Sequence, residues 1–154
     1  MKRNIWFKNI ALLLAAMFFV GDRALKSMAV SGDFKMPVNL LGSWFQFDFT
    51  PNYFIAFSLP WGGKSILILT GIIIFCLLFY ILYLFFSKKL KWRLFFPLMV
   101  LFLGALSNFI DRIQYGYVID YFSCRYFTIF NLADVLIVAV VGWFLLEIIR
   151  KKGE

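Results

Sequence analysis

The sequence predicts a mainly α-helical membrane protein: four transmembrane helices with a small β-structured cradle on the outer surface. Three observations predict it. Of 154 residues, 63% are hydrophobic and 21% aromatic, against 16% charged. That is more apolar surface than a soluble domain of this length can hide, since small domains bury only about two-thirds of what their chains expose. The apolar residues fall into four stretches, each near the roughly 20 residues a helix needs to cross a bilayer. The cations cluster between those stretches, as topology signals do. Soluble globular, disordered and secreted disulfide classes are excluded, and the length allows a single domain, 1–154.

The first span is expected at about 9–30. A cleavable signal peptide competes for this segment, with Met1-Lys2-Arg3 as its basic start. No clean small-residue cleavage site follows, and Asp22 and Lys26 continue the helical pattern, so the span is read as uncleaved. The second span is expected at about 65–86, the third at about 94–113 and the fourth at about 132–149. Lys2, Arg3 and Lys8 precede the first span, Lys88, Lys89, Lys91 and Arg93 fill the second connection, and Arg150, Lys151 and Lys152 follow the fourth. With four alternating helices these cations share one side, which places both termini in the cytoplasm. The net charge of +8 is thereby a topology signal, and no nucleic-acid partner is expected.

The first outer connection, Ser31 to Lys64, is long for a bundle loop. Trp44-Phe45-Gln46-Phe47-Asp48-Phe49 alternates apolar and polar residues as a strand does, and Pro37, Gly42, Pro51, Pro60 and Gly62-Gly63 punctuate it. A β-cradle over about 36–60 is expected. The second outer connection, Gln114 to Phe130, is rich in Tyr and Phe. Cys76 and Cys124 form no CxxC, and their spacing supports no disulfide.

Ionisable groups within spans are costly and are functional-site hypotheses by default. Asp22 and Lys26 share a helix face at i,i+4. Asn108, Asp111 and Arg112 share the outer end of the third span, Asp120 follows, and Asn131 and Asp134 open the fourth. Simpler roles stand beside each. Asp22 and Lys26 can merely neutralise one another, and Asp111 and Arg112 can cap the third helix and meet headgroups. Asn131 and Asp134 have the spacing of an N-cap motif. Asp120 lacks such a role. The chain has no His and too few acids for a metal cage, so no metal or cofactor is expected. Two Asp carboxyls about 3 Å apart in a low-dielectric site share a proton. One can then deprotonate water while the other polarises a peptide carbonyl. Asp120 and Asp134 are the pair best placed for this.

At these residues the chain resembles the lipoprotein signal peptidases (signal peptidase II), four-span aspartic proteases of the bacterial inner membrane. The resemblance runs through Gly104-Ala105-Leu106-Ser107-Asn108-Phe109-Ile110-Asp111-Arg112, Gly116-Tyr117-Val118-Ile119-Asp120-Tyr121 and Phe130-Asn131-Leu132-Ala133-Asp134. Asp22-Arg23-Ala24-Leu25-Lys26 and Asn52-Tyr53-Phe54-Ile55-Ala56-Phe57-Ser58 extend it. It implies a catalytic dyad of Asp120 and Asp134, a site lined by Asn52, Asn108, Arg112 and Asn131, and a structural or positioning pair in Asp22 and Lys26. It implies as partners prolipoprotein signal peptides bearing a diacylglyceryl-Cys, cut N-terminal to that Cys, together with membrane lipids. It implies no cofactor, and a monomer is expected. Trp44 and Trp61 are expected to border acyl chains. Phe54 stands where that family usually has Gly, and Leu25 where it has a hydroxyl residue. Competing functions are a small proton-coupled transporter, which would place its acids at midplane, a serine–lysine peptidase at Lys26-Ser27 or Lys64-Ser65, and a non-enzymatic lipid- or peptide-binding homologue.

Overall fold

The computed structural model describes residues 2–32, 37–55, 59–87 and 92–152. Ala56, Phe57, Ser58, Lys88, Lys89 and Lys91, which carry parts of the orientation and family patterns, lie outside the described residues, as does the Trp61 side chain. Four helices dominate: α1 (Lys2–Ser31), α2 (Lys64–Phe86), α3 (Trp92–Tyr115) and α4 (Leu132–Lys152). Among the described residues, α2, α3 and α4 are long and apolar enough to cross a membrane. Their outward faces carry bare apolar side chains, among them Ile68, Phe75, Phe86 and Leu146, which water would not tolerate in such density. The protein is thus a mostly helical membrane protein with a small antiparallel sheet.

That sheet sits at one end of the helices. Strands β1 (Val38–Leu41), β2 (Phe45–Asn52), β5 (Val118–Cys124) and β6 (Ile129–Phe130) pair antiparallel in the order β1-β2-β5-β6, while β3 (Phe54–Ile55) and β4 (Leu59–Gly62) form a separate hairpin. The cradle expected over about 36–60 therefore draws half of its main sheet from the connection between α3 and α4. The physical reason is burial on both faces. Val118, Ile119, Asp120 and Tyr121 are all buried in succession, so β5 shows none of the alternation that betrays a half-exposed strand.

Two glycines position this layer. Gly116, at φ +80, donates its N–H to the Arg112 carbonyl and closes α3 in the left-handed conformation that Gly adopts without a Cβ penalty. The chain then reverses, and β5 passes over the helix ends. Gly104 lets α3 and α4 approach closely, for a Cβ there would stand 3.1 Å from Ile137 Cγ1 and 3.2 Å from the Ala133 carbonyl oxygen. Above, Ala29, Phe47, Ile119 and Tyr121 weld α1 to the sheet. Below, Ile81, Leu84, Phe95 and Leu98 join α2 to α3.

Candidate active site

The site forms where β5 meets the C-terminal end of α3 and the N-terminal end of α4. Asp120 lies in β5 opposite Thr50 of β2 and is 2% exposed. Its Oδ2 accepts from Asn52 Nδ2 at 2.9 Å and its Oδ1 from Asn131 Nδ2 at 2.7 Å. Asn131 precedes α4 and works in two directions. Its Oδ1 accepts the Asp134 N–H at 2.9 Å, while its own N–H donates to Asp134 Oδ2 at 3.4 Å. This is the reciprocal N-cap that the spacing foretold, and the same amide reaches Asp120 with its other end. The cap of α4 and a hydrogen bond to Asp120 are thus carried by one residue.

Asn108 of α3 closes the chain of amides. Its Nδ2 donates to Asp134 Oδ1 at 2.7 Å, and its Oδ1 accepts from Asn131 Nδ2 at 3.1 Å. Asp120 and Asp134, separated by a helix cap in sequence, are therefore joined through two neutral amides. Burial pushes the Asp120 carboxyl up to about 7, helped by the nearby negative charge of Asp134; the Asn52 and Asn131 hydrogen bonds and the charge of Lys26 oppose the shift.

Beneath this pair lies a buried ionic layer. Lys26 Nζ stands 3.2 Å from Asp22 Oδ2 and 2.7 Å from Asp111 Oδ2, and Arg23 pairs with the same Asp111. Asp22 also accepts from the Tyr121 hydroxyl at 2.8 Å and from the Ala133 N–H at 3.1 Å, so it ties β5 and the start of α4 to α1. Burial and the adjacent Asp22 charge push the Tyr121 phenol well above its ordinary range. Asp111 accepts the Ile119 N–H at 3.2 Å and is fully buried, which corrects its reading as a cap facing headgroups. Among the described residues every buried side-chain nitrogen and oxygen has a partner.

All eight residues singled out from the sequence lie in or beside this region. Arg112 stays apart from the amide chain and donates to the Phe54 carbonyl at 3.2 Å. Phe54 lies in the extended β3 and is absent from the residues at positive φ, so the bulky residue fits where a Gly was expected. Sequence reasoning missed Arg23, Ser107 and Tyr121 and set Asp111 aside. The i,i+4 spacing of Ser107 and Asp111 was the available signal for two of them.

A cavity of about 530 Å³ opens beside Asp134. Asn52, Asn108, Arg112 and Asp134 line one part of it, and aliphatic side chains such as Ile74 and Val138 line much of the rest. Among the described residues no three His, Cys, Asp or Glu converge as metal ligands. The arrangement offers two coupled carboxyls, neutral amide donors and an apolar trough: the parts for attacking a peptide bond with water at the end of a greasy segment.

Residues 14–150 match the family described as Signal peptidase (SPase) II. A lipoprotein signal peptidase of Caldicellulosiruptor bescii is 32% identical over 88% of this chain and 88% of its own. One from Clostridium tetani is 31% identical over 84% of this chain and 83% of its own. In fold the chain is similar to a bacterial membrane enzyme solved by the in meso method at 2.3 Å, with a TM-score of 0.76 at 23% identity, covering 94% of this chain and 90% of that one.

Proposed function

The chain belongs to the signal peptidase II family, and from that premise we propose that Asp120 and Asp134 are the dyad with which it removes signal peptides from prolipoproteins. The observation that carries the assignment is the hydrogen-bonded chain Asp120–Asn131–Asn108–Asp134 beside a largely apolar cavity. In the working state the two carboxyls hold one proton between them. The ionised carboxylate takes a proton from a water molecule as its oxygen attacks the scissile carbonyl carbon, and the protonated one donates toward the carbonyl oxygen. Collapse of the tetrahedral intermediate breaks the C–N bond, and the proton taken from water passes to the leaving amine. That amine becomes the new N-terminus at the diacylglyceryl-modified Cys.

The apolar trough suits the signal peptide's hydrophobic segment. Arg112, with donors beyond its bond to Phe54, suits a substrate carbonyl or ester oxygen. At 30 residues α1 is about 45 Å long and supplies the fourth crossing. The chain then forms one integral domain, a monomer among membrane lipids, with both termini in the cytoplasm and the site near the outer face of the bacterial inner membrane. The cation distribution supports that orientation, and exposed Trp44 suits the outer interface.

The test is a gel-shift cleavage assay on a diacylglyceryl-modified prolipoprotein. Asp120→Asn and Asp134→Asn, each folded, are expected to lose at least about 10²-fold in rate, the usual contribution of a general acid or base. A folded wild type that cleaves no lipid-modified substrate, or either variant cleaving at the wild-type rate, refutes the dyad.

A further inference from the structure

We propose that Lys26 is a positioning residue for the proteolytic site: its ammonium fixes which end of the Asn108 amide faces Asp134. The inference rests on the dyad reading given above. Lys26 is completely buried and carries three N–H donors and no acceptor. Among the described residues, four acceptors surround it. Asp111 Oδ2 and Asn108 Oδ1 lie at 2.7 Å, Asp22 Oδ2 at 3.2 Å and Ser107 Oγ at 3.3 Å. Neutralising the two acids occupies two donors. One of the two shortest contacts goes instead to a neutral amide, which a residue serving only as a counter-ion would not require.

The choice of amide end matters because packing cannot make it. The oxygen and nitrogen of an Asn side chain are nearly equal in size, so only hydrogen-bond partners decide its orientation. A buried ammonium admits the oxygen alone. Asn131 Nδ2 reaches the same oxygen at 3.1 Å, and its own orientation is fixed by Asp134 N–H on one end and Asp120 on the other. With Oδ1 so held, Nδ2 of Asn108 must point to Asp134 Oδ1, 2.7 Å away. Turned over, the amide would set oxygen against carboxylate on one side and N–H groups against an ammonium on the other. Lys26 thus keeps one oxygen of Asp134 an acceptor and takes it out of contention for the proton that the pair shares.

Asp22, Asp111 and Ser107 also face Lys26, and Arg23 stands behind Asp111, so removing the ammonium also perturbs the ionic layer. The test separates the two effects by a kinetic double-mutant cycle. Wild type, Lys26→Met, Asn108→Ala and the double variant are assayed on a diacylglyceryl-modified prolipoprotein, with kcat expressed per folded molecule. Lys26→Met is expected to lower kcat about tenfold or more, the equivalent of one hydrogen bond to a charged group, with little change in KM. The double variant is expected to be no slower than Asn108→Ala alone. The cycle is repeated in an Asp111→Asn background, which restores formal neutrality around the missing ammonium, and the same coupling is expected there. Effects on kcat that multiply in that background, or Lys26→Met at wild-type kcat with only a lowered Tm, overturn the proposal and leave Lys26 as a counter-ion. An inactive wild type would overturn the dyad reading itself.

Discussion

Exchanging Asn131 for Ala and for Ser separates the two tasks of its side chain. The amide oxygen caps α4 by accepting the Asp134 N–H at 2.9 Å, and the amide nitrogen donates to Asp120 at 2.7 Å. Ala removes both. The cap contributes about 1 kcal/mol and a hydrogen bond to a charged group about 1.5–3 kcal/mol, so Asn131→Ala is expected to destabilise the fold by about 2.5–4 kcal/mol. Ser keeps a capping oxygen and loses the amide donor. Its stability cost is expected to be smaller than that of Ala, while among the described residues Asp120 keeps only Asn52 as a side-chain donor. Loss of a bond to the ionised form raises a carboxyl's affinity for its proton. The pair's proton should then persist to higher pH, moving the alkaline limb of kcat/KM up from near 7 by about 1–2 pH units, at 1.36 kcal/mol per unit. The assay is a pH–rate profile of both variants beside thermal unfolding in detergent. A Ser variant with an unmoved alkaline limb and wild-type kcat/KM refutes the argument that this amide governs Asp120.

Four further outcomes are expected. Wild-type cleavage should decline as pH rises through about 7 and the pair loses its shared proton, because the folded Asp120 carboxyl is pushed up to about 7 from an ordinary 3.8. The same shift gives stability a sign. The folded chain holds this proton where the unfolded chain has released it, so the contribution is full below about 4 and lost as pH climbs through about 7, as thermal unfolding against pH would register. Tyr121→Phe removes a hydroxyl that donates to Asp22 at 2.8 Å and accepts the Leu132 N–H at 2.9 Å, and should cost about 1–3 kcal/mol in denaturation of the purified protein. Gly104→Val places a branched side chain where even a Cβ stands 3.1 Å from Ile137, and overpacking of about 1–3 kcal/mol should lower Tm.

The sequence reveals apolar runs and acids within them, and those signals led to the helices and to the residues that meet at the site. What stayed hidden depended on distant partners. Asp111 looks like a helix-end residue beside Arg112, and only the fold shows that Lys26 and Arg23 of α1 bury it. Tyr121 looks like one more interfacial aromatic, yet its hydroxyl lies on Asp22, 99 positions earlier in the chain. β5 escaped for a related reason. Four consecutive buried residues, one of them Asp120, erase the period of two that marks a strand. Asn131 illustrates the opposite case: its spacing to Asp134 reads as a cap, and the geometry adds a bond to Asp120 from the same amide.

The distribution of charge explains why the site uses amides where salt bridges would hold it more firmly. Asp22 and Asp111 face Lys26 and Arg23, and the formal charges of that layer cancel. Above it, Asp120 and Asp134 have Arg112 within electrostatic reach, so two ionised carboxylates would leave one negative charge uncompensated. Retaining one proton removes it, in the monoprotonated state that the proposed reaction requires. Asn52, Asn108 and Asn131 orient the carboxylates with N–H donors that carry no net charge. Lys or Arg at those three positions would grip the same oxygens more strongly, but each would pull the carboxyl affinities down. Both aspartates would then be ionised at neutral pH, with a base still present and no acid left to polarise the peptide carbonyl.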